Sequence, residues 1–162
     1  MPGYAISERQ ARRLNRILGA LLRQTGAEAL IVTDYGGNIL AQVSNFDDHS
    51  LQTVAALAAG AFSATRELAG MIGETGFRSI FHRGSERSIY IHCHATAFLT
   101  LMVLGKETTQ GLARLYVEKA GRQITPILLS TLNQSASGAG AAERFEFDAE
   151  TDAFPPAENR GE

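Results

Sequence analysis

The sequence predicts an α+β fold whose elements follow one another in the order α-β-β-α-β-β-β-α. Three segments repeat apolar residues at every third or fourth position, which is the period of an amphipathic helix. Five shorter segments are apolar or alternating and are separated by clusters of glycine and polar residues, as strands are. The 162 residues, 44% apolar and 20% charged, are typical of one globular domain.

The first predicted helix spans about residues 8–24 and precedes a β-hairpin. Ser7 and Gln10 have the spacing of a capping box, in which each side chain satisfies a backbone N–H group at the start of a helix. Apolar strands are predicted at residues 29–33 and 39–43, on either side of a dense turn sequence.

The second predicted helix, residues 51–74, has two faces of different composition. The face predicted to pack on the core is periodic and mostly apolar: Val54, Leu57, Ala58, Ala61, Thr65, Leu68 and Ile72. The other face carries small side chains with two charges between them: Ala56, Ala59, Gly60, Ser63 and Gly70, with Arg66 and Glu67. Small side chains let another backbone approach closely, so this face is predicted to contact another protein. The alternative is a helix enclosed within its own domain.

Three more strands and a last helix complete the predicted fold. The strands are predicted at residues 77–82, 87–94 and 97–104, the last of them apolar on both faces. The helix begins at Thr108 or Thr109 and carries an apolar stripe as far as Leu128. Pro126 lies within this stripe and predicts a kink or a break, because proline cannot donate a helical hydrogen bond.

A change of composition places the predicted domain boundary after residue 134. Residues 135–142 are rich in serine, glycine and alanine and predict a flexible linker. Residues 143–162 hold seven acidic residues and two arginines, a net charge of −5, which leaves residues 1–142 at +3. Such an acidic tail is predicted to be disordered, and Phe145, Phe147 and Phe154 leave open a short motif that folds on a partner.

The composition argues against several classes of function. The net charge of −2, without a basic stripe, predicts no nucleic-acid partner. No apolar run approaches the roughly 20 residues of a membrane helix, so no membrane insertion is expected. Gly105-Lys106 is followed by Glu107 where a P-loop requires serine or threonine, and no cofactor is predicted. A single cysteine, Cys93, fits a reducing, cytoplasmic compartment.

His92 and His94 form the one cluster with chemical character. Two residues apart on a strand, they share a face at about 7 Å, a separation that suits two metal ligands. His82 is the reasonable candidate for a third ligand, and the sequence offers little cysteine. The favoured interpretation is a pair of exposed strand histidines, with no metal and no catalytic residue. A small metal-dependent enzyme or sensor is the alternative.

Several segments, in this order, resemble the Roadblock (dynein light chain) family. They are Asp34-Tyr35-Gly36-Gly37, Ala59-Gly60, residues 68–74, Phe81-His82-Arg83-Gly84, Ser88-Ile89-Tyr90, and residues 111–115 running on to Lys119-Ala120. The likeness covers about residues 7–134. It implies a five-stranded antiparallel sheet with flanking helices, as in Roadblock and profilin folds. It also implies a homodimer with the second helices side by side and the sheets joined edge to edge.

The resemblance further implies a non-catalytic regulator of a small Ras-like GTPase, cytoplasmic and concentrated at a cell pole, in motility and polarity. Such regulators act like GTPase-activating proteins, without an arginine finger, by repositioning the switch residues of the GTPase. The implied contact positions are Ala56, Gly60, Ser63, Ala64 and Glu67, and the implied tail contact is Phe145, Glu146, Phe147 and Asp148.

Arg66 and Glu67 depart from the family pattern, in which this part of the helix is smaller and less charged. They are predicted to pair with a particular GTPase or to mark a different partner, and a solvent-exposed pair is the alternative. A different function stays open as well. It is a Roadblock scaffold that assembles or localises complexes without changing GTP hydrolysis.

Overall fold

A five-stranded antiparallel sheet forms the centre of the structure, a computed structural model that describes residues 4–46 and 48–142. The element order is the predicted one: α1 (Glu8–Thr25), β1 (Ala29–Asp34), β2 (Ile39–Ser44), α2 (Asp48–Met71), β3 (Ser79–Arg83), β4 (Ser88–His94), β5 (Phe98–Leu104) and α3 (Gln110–Ala142). The strands lie in the order β2-β1-β5-β4-β3, each antiparallel to its neighbours. The predicted α+β fold is confirmed.

Helices cover both faces of this sheet. The leucines of α1 and the apolar stripe of α3 pack on one face, and α2 packs on the other. The two central strands are therefore enclosed: every residue of β1 is buried, and so is every residue of β5 except Val103. This confirms that the last strand is covered on both faces, and it leaves β2 and β3 as the edges of the sheet.

The start of α1 confirms the predicted capping box. The Ser7 backbone N–H donates to Oε1 of Gln10 at 2.9 Å, and the Gln10 backbone N–H donates to Oγ of Ser7 at 3.3 Å. Nε2 of Gln10 also donates to Oγ of Ser130 at 2.8 Å, which connects the start of α1 to α3. The cap thus contributes both to the helix and to the packing of the two helices.

The buried face of α2 is not the predicted one. Its buried side chains are small apart from Leu51 and Phe62: Leu51, Ala55, Ala58, Ala59, Phe62 and Ala69. Of the predicted core stripe only Ala58 is buried, whereas Leu57, Leu68 and Ile72 are 69%, 53% and 64% exposed. The reason is steric: alanines let the helix lie close to the sheet, and the aromatic ring of Phe62 fills the remaining space.

The C-terminal helix α3 is longer and more continuous than predicted. It passes through Pro126 without a break. It also continues through residues 135–142, where the composition predicted a flexible linker. Alanine favours a helix and serine tolerates one, so a helix already anchored by packing can extend through this segment although it contains two glycines. In this part Oγ of Ser137 donates to the carbonyl of Asn133 at 2.8 Å.

The predicted acidic tail, including the contact segment Phe145, Glu146, Phe147 and Asp148, lies outside the described residues. The domain boundary after residue 134 stays a prediction. Within the described ranges, no helix is both long enough and apolar enough to cross a membrane.

Candidate partner-binding surface on the second helix

Most of the predicted contact positions on α2 face solvent. Ala56, Gly60, Ala64, Arg66 and Glu67 are exposed, and Ser63 is half-buried. A Cβ atom added at Gly60 or at Gly70 would meet no atom within 4 Å outside the helix itself. Ala59, in contrast, is buried against the sheet and belongs to the core. The small side chains of this helix therefore lie on both of its sides, rather than on one contact face.

An exposed apolar stripe runs along the same helix, and two of its members, Leu57 and Leu68, were predicted to lie in the core. Leu57, Leu68 and Met71 are 69%, 53% and 85% exposed. The spacing 57, 60, 64, 68 and 71 keeps Gly60 and Ala64 on the same side of the helix, between the large residues. We call these five residues the α2 stripe. Large apolar side chains at its ends and small ones at its centre suit close packing of a second helix.

Arg66 and Glu67 point to different sides of α2, since consecutive helical residues are about 100° apart. The Arg66 guanidinium carbon lies 4.9 Å from the centre of the Tyr35 ring, which in turn stacks on Phe62 at 5.9 Å. Burial, together with the 3.0 Å hydrogen bond between its hydroxyl and Sγ of Cys93, raises the pKa of Tyr35. Arg66 is thus held against the sheet side of the helix, outside the α2 stripe.

The turn between β1 and β2 fixes the position of α2. Oδ1 of buried Asp34 accepts from the backbone N–H groups of Gly36 and Asn38, each at 2.9 Å. Gly37, with φ of +82°, lies so close to the helix that an added Cβ would be 2.6 Å from Cα of Ala56. The predicted contact residue Ala56 therefore also belongs to the contact between helix and turn.

The edge strand β3 offers a second surface for association. It pairs with β4 on one side, and no strand of the described residues pairs with its other side. Ile80 of β3 faces the same side of the sheet as α2 and is half-buried. An unpaired edge can accept a strand of another chain.

The two strand histidines are not the exposed pair that the sequence predicted. His94 is only 3% exposed, with Nε2 2.8 Å from Oγ1 of Thr100 and Nδ1 3.4 Å from Oγ1 of Thr125. Desolvation, with the neighbouring charge of His92, lowers the pKa of His94 to about 3.

The predicted third metal ligand, His82, lies on the opposite face of the sheet from His92 and cannot complete a metal site with it. Among the described residues, no three His, Cys, Asp or Glu side chains come together as a metal site.

Comparisons with known proteins agree with this architecture. The sequence profile of the Roadblock/LC7 domain matches residues 14–103. Myxococcus xanthus MglB is 25% identical with a TM-score of 0.72, over 78% of this chain and 96% of that one. The gliding protein MglB of Thermus thermophilus is 26% identical with a TM-score of 0.72, over 78% and 96%. An MglB with a tetrameric arrangement is 25% identical with a TM-score of 0.76, over 81% and 98%. No curated protein sequence matches the chain.

Proposed function

The chain belongs to the Roadblock/LC7 domain family, and from this premise we propose that it is a non-catalytic, homodimeric regulator of a small Ras-like GTPase of the MglA type. The observation that carries the proposal is the α2 stripe, an apolar surface that its own fold leaves exposed. The similarity to MglB structures, one of them named a gliding protein, favours a role in motility.

Two surfaces support self-association. The α2 stripe offers large apolar side chains whose complete burial is favourable by about 1.5–3 kcal/mol each. The free edge of β3 offers backbone hydrogen-bonding groups that a second copy of the same strand can pair. A dimer formed through both surfaces would bring two α2 helices together at Gly60 and present Ser63 and Glu67, beside that contact, to a GTPase.

Regulation without an arginine finger fits the position of Arg66. Although Arg66 is exposed, its guanidinium lies over the ring of Tyr35 in its own chain, 4.9 Å from the ring centre. The protein would therefore act by stabilising one conformation of the switch residues of the GTPase. A hundredfold acceleration by this route lowers the barrier by only about 2.7 kcal/mol, which a few new contacts can supply. The tail contact at Phe145, Glu146, Phe147 and Asp148 stays a prediction.

Dimerisation has its own test, in which glutamate replaces two leucines of the α2 stripe. Leu57→Glu combined with Leu68→Glu is expected to weaken the dimer by at least about a hundredfold, because unpaired carboxylates would be buried at the contact. Sedimentation velocity over a concentration series measures this. Leu115→Glu is the matched control, since Leu115 is 62% exposed on α3. A parent protein that is monomeric at all concentrations, or a double variant that dimerises normally, contradicts the proposal.

The regulatory role is tested by single-turnover GTP hydrolysis of a Ras-like GTPase from the same organism, with and without the full chain. We expect acceleration by the parent protein and its loss in Gly60→Arg, because the long side chain separates the surfaces that pack at Gly60. Gly111→Arg is the matched control, since Gly111 is exposed on α3 and a Cβ there meets no neighbour. Binding without acceleration would support the scaffold instead. Absence of binding would contradict both functions.

A further inference from the structure

A third surface, separate from the α2 stripe and from the free edge of β3, is a groove of about 1130 Å³ beside the segment that precedes β3. The end of β4, residues 75–78, and parts of α2 and α3 line it. Four of its lining residues are arginines, and one is acidic: Arg66, Arg78, Arg114 and Arg122, with Glu118. Phe77 and Pro126 add apolar surface to the same groove.

The charge of this arginine groove is only partly compensated. Nε of Arg114 donates to Oε1 of Glu118 at 2.9 Å, which accounts for the one carboxylate. Arg66 lies against the ring of Tyr35. Arg78 and Arg122 take part in no ion pair among the residues that the structure describes. The groove thus carries a formal charge of +3, equal to the net charge of residues 1–142.

We propose that the arginine groove binds an acidic segment of the same chain, centred on Glu150, Asp152 and Phe154. The two carboxylates match the unpaired guanidinium groups of Arg78 and Arg122, because arginine pairs well with carboxylates. The aromatic ring matches the apolar surface of Phe77 and Pro126. This inference is independent of the proposed function, since it concerns neither the α2 stripe nor a GTPase.

The distance from the end of α3 back to the arginine groove determines which part of the tail can reach it. Along α3, the distance from Thr125 at the groove to Ala142 is about 25 Å at 1.5 Å per residue. An extended chain covers about 3.3 Å per residue, so roughly eight residues are needed to return over that distance. The groove therefore comes within reach only from about residue 150 onwards. Glu146 and Asp148 carry the same charge, but their backbones, four and six residues after Ala142, span at most about 13 Å and 20 Å of that distance.

A tryptophan reporter tests the proposal in the full chain. The sequence contains no tryptophan, so Phe154→Trp creates a single fluorophore whose quenching by acrylamide measures its exposure. At low salt we expect quenching about threefold weaker than at 1 M salt, where the Debye length falls to about 3 Å. Arg78→Gln with Arg122→Gln, and separately Glu150→Gln with Asp152→Asn, are each expected to restore the stronger quenching.

Two matched controls make the result specific. Glu146→Gln with Asp148→Asn removes the same charge outside the reach of the groove and is expected to leave the quenching unchanged. Arg16→Gln with Arg23→Gln removes two exposed arginines of α1 and is expected to do the same. All these changes are at exposed or tail positions, and circular dichroism verifies that the fold is retained.

Four results would overturn the proposal. The first is a reporter that is fully quenched at low salt, and the second is protection that persists when Arg78 and Arg122 are replaced. The third is protection that increases with protein concentration, since the groove would then bind the segment of another copy. Release by the Glu146 and Asp148 control to the same extent would count against it as well, because it would indicate attraction without a defined site.

Discussion

Replacement of Gly37 by alanine is expected to lower the free energy of unfolding by about 3 kcal/mol. Gly37 has φ of +82°, a conformation that costs a residue with a Cβ about 1–2 kcal/mol. The added methyl would also lie 2.6 Å from Cα of Ala56 in α2, so helix and turn must move apart. Crowding of this kind typically costs about 1–3 kcal/mol more. The sum is a large part of the stability of a single domain.

Urea denaturation of Gly37→Ala and Gly70→Ala measures this effect against an internal control. A Cβ at Gly70 meets no neighbour, Gly70 lies outside the α2 stripe, and alanine is favoured over glycine within a helix by about 1 kcal/mol. The two substitutions are chemically identical, yet the second is expected to stabilise the protein slightly. A midpoint for Gly37→Ala within error of the parent would show that the turn does not hold α2 as described.

Gly37→Ala should weaken partner binding as well as the stability of the fold. The Nε2 of Gln52 donates to the carbonyl of Gly37 at 2.9 Å, so two residues of α2 depend on the same turn. Asp34 holds that turn through two backbone N–H groups and Nδ2 of Asn38. Displacement of the turn would shift the start of α2 relative to the sheet. The α2 stripe would then lose its fixed position on the surface.

The parts of the fold that the sequence predicted correctly are those that local chemistry determines. Ser7 and Gln10 form a cap within four residues, and the turn sequence after β1 requires a glycine at positive φ. Residues 135–142 were predicted as a linker because their composition is typical of one, but α3 continues through them. Propagation of an anchored helix costs much less than its nucleation, and composition does not record that anchor.

The candidate site was harder to predict, for a reason that lies in α2 itself. A period of 3.6 residues identifies which side chains share a face, but not which face is buried. Leu57 and Leu68 are more hydrophobic than Ala55 and Ala58, so hydrophobicity alone assigns them to the core. Close approach of the helix to the sheet selects the smaller residues instead. The close approach depends on the contact of Gly37 with Ala56, 19 residues further along the chain, and no local sequence pattern indicates that contact.

His94 is expected to make the protein sensitive to acid. Burial lowers its pKa to about 3 in the folded state, whereas an unfolded histidine titrates near 6.5. Between these values the unfolded chain binds a proton that the folded chain does not, so stability falls as the pH falls from about 6.5 towards 3. The slope is about 0.7 kcal/mol per pH unit at pH 6.5 and approaches about 1.4 kcal/mol per pH unit below it, so the loss between pH 6.5 and pH 4.5 is roughly 2 kcal/mol. The full contribution of neutral His94 to the stability of the fold is present above the unfolded pKa of about 6.5.

Urea denaturation of the parent protein and of His94→Gln, at about pH 7.5 and pH 4.5, isolates this contribution. The variant is expected to be less stable at the higher pH, since it loses the hydrogen bond to Thr100 and leaves space in the core. Its loss of stability on acidification should be smaller than that of the parent by about 2 kcal/mol, because it has no proton to take up at this position.

The titration of carboxyl groups affects both proteins and cancels in the difference between them. His82→Gln, at an exposed histidine of β3, is the matched control for the replacement of a histidine by glutamine. Equal losses in the parent and in His94→Gln would show that His94 takes up a proton without unfolding. The fold would then have to provide a solvated position for the charged ring, between α3 and the end of β4.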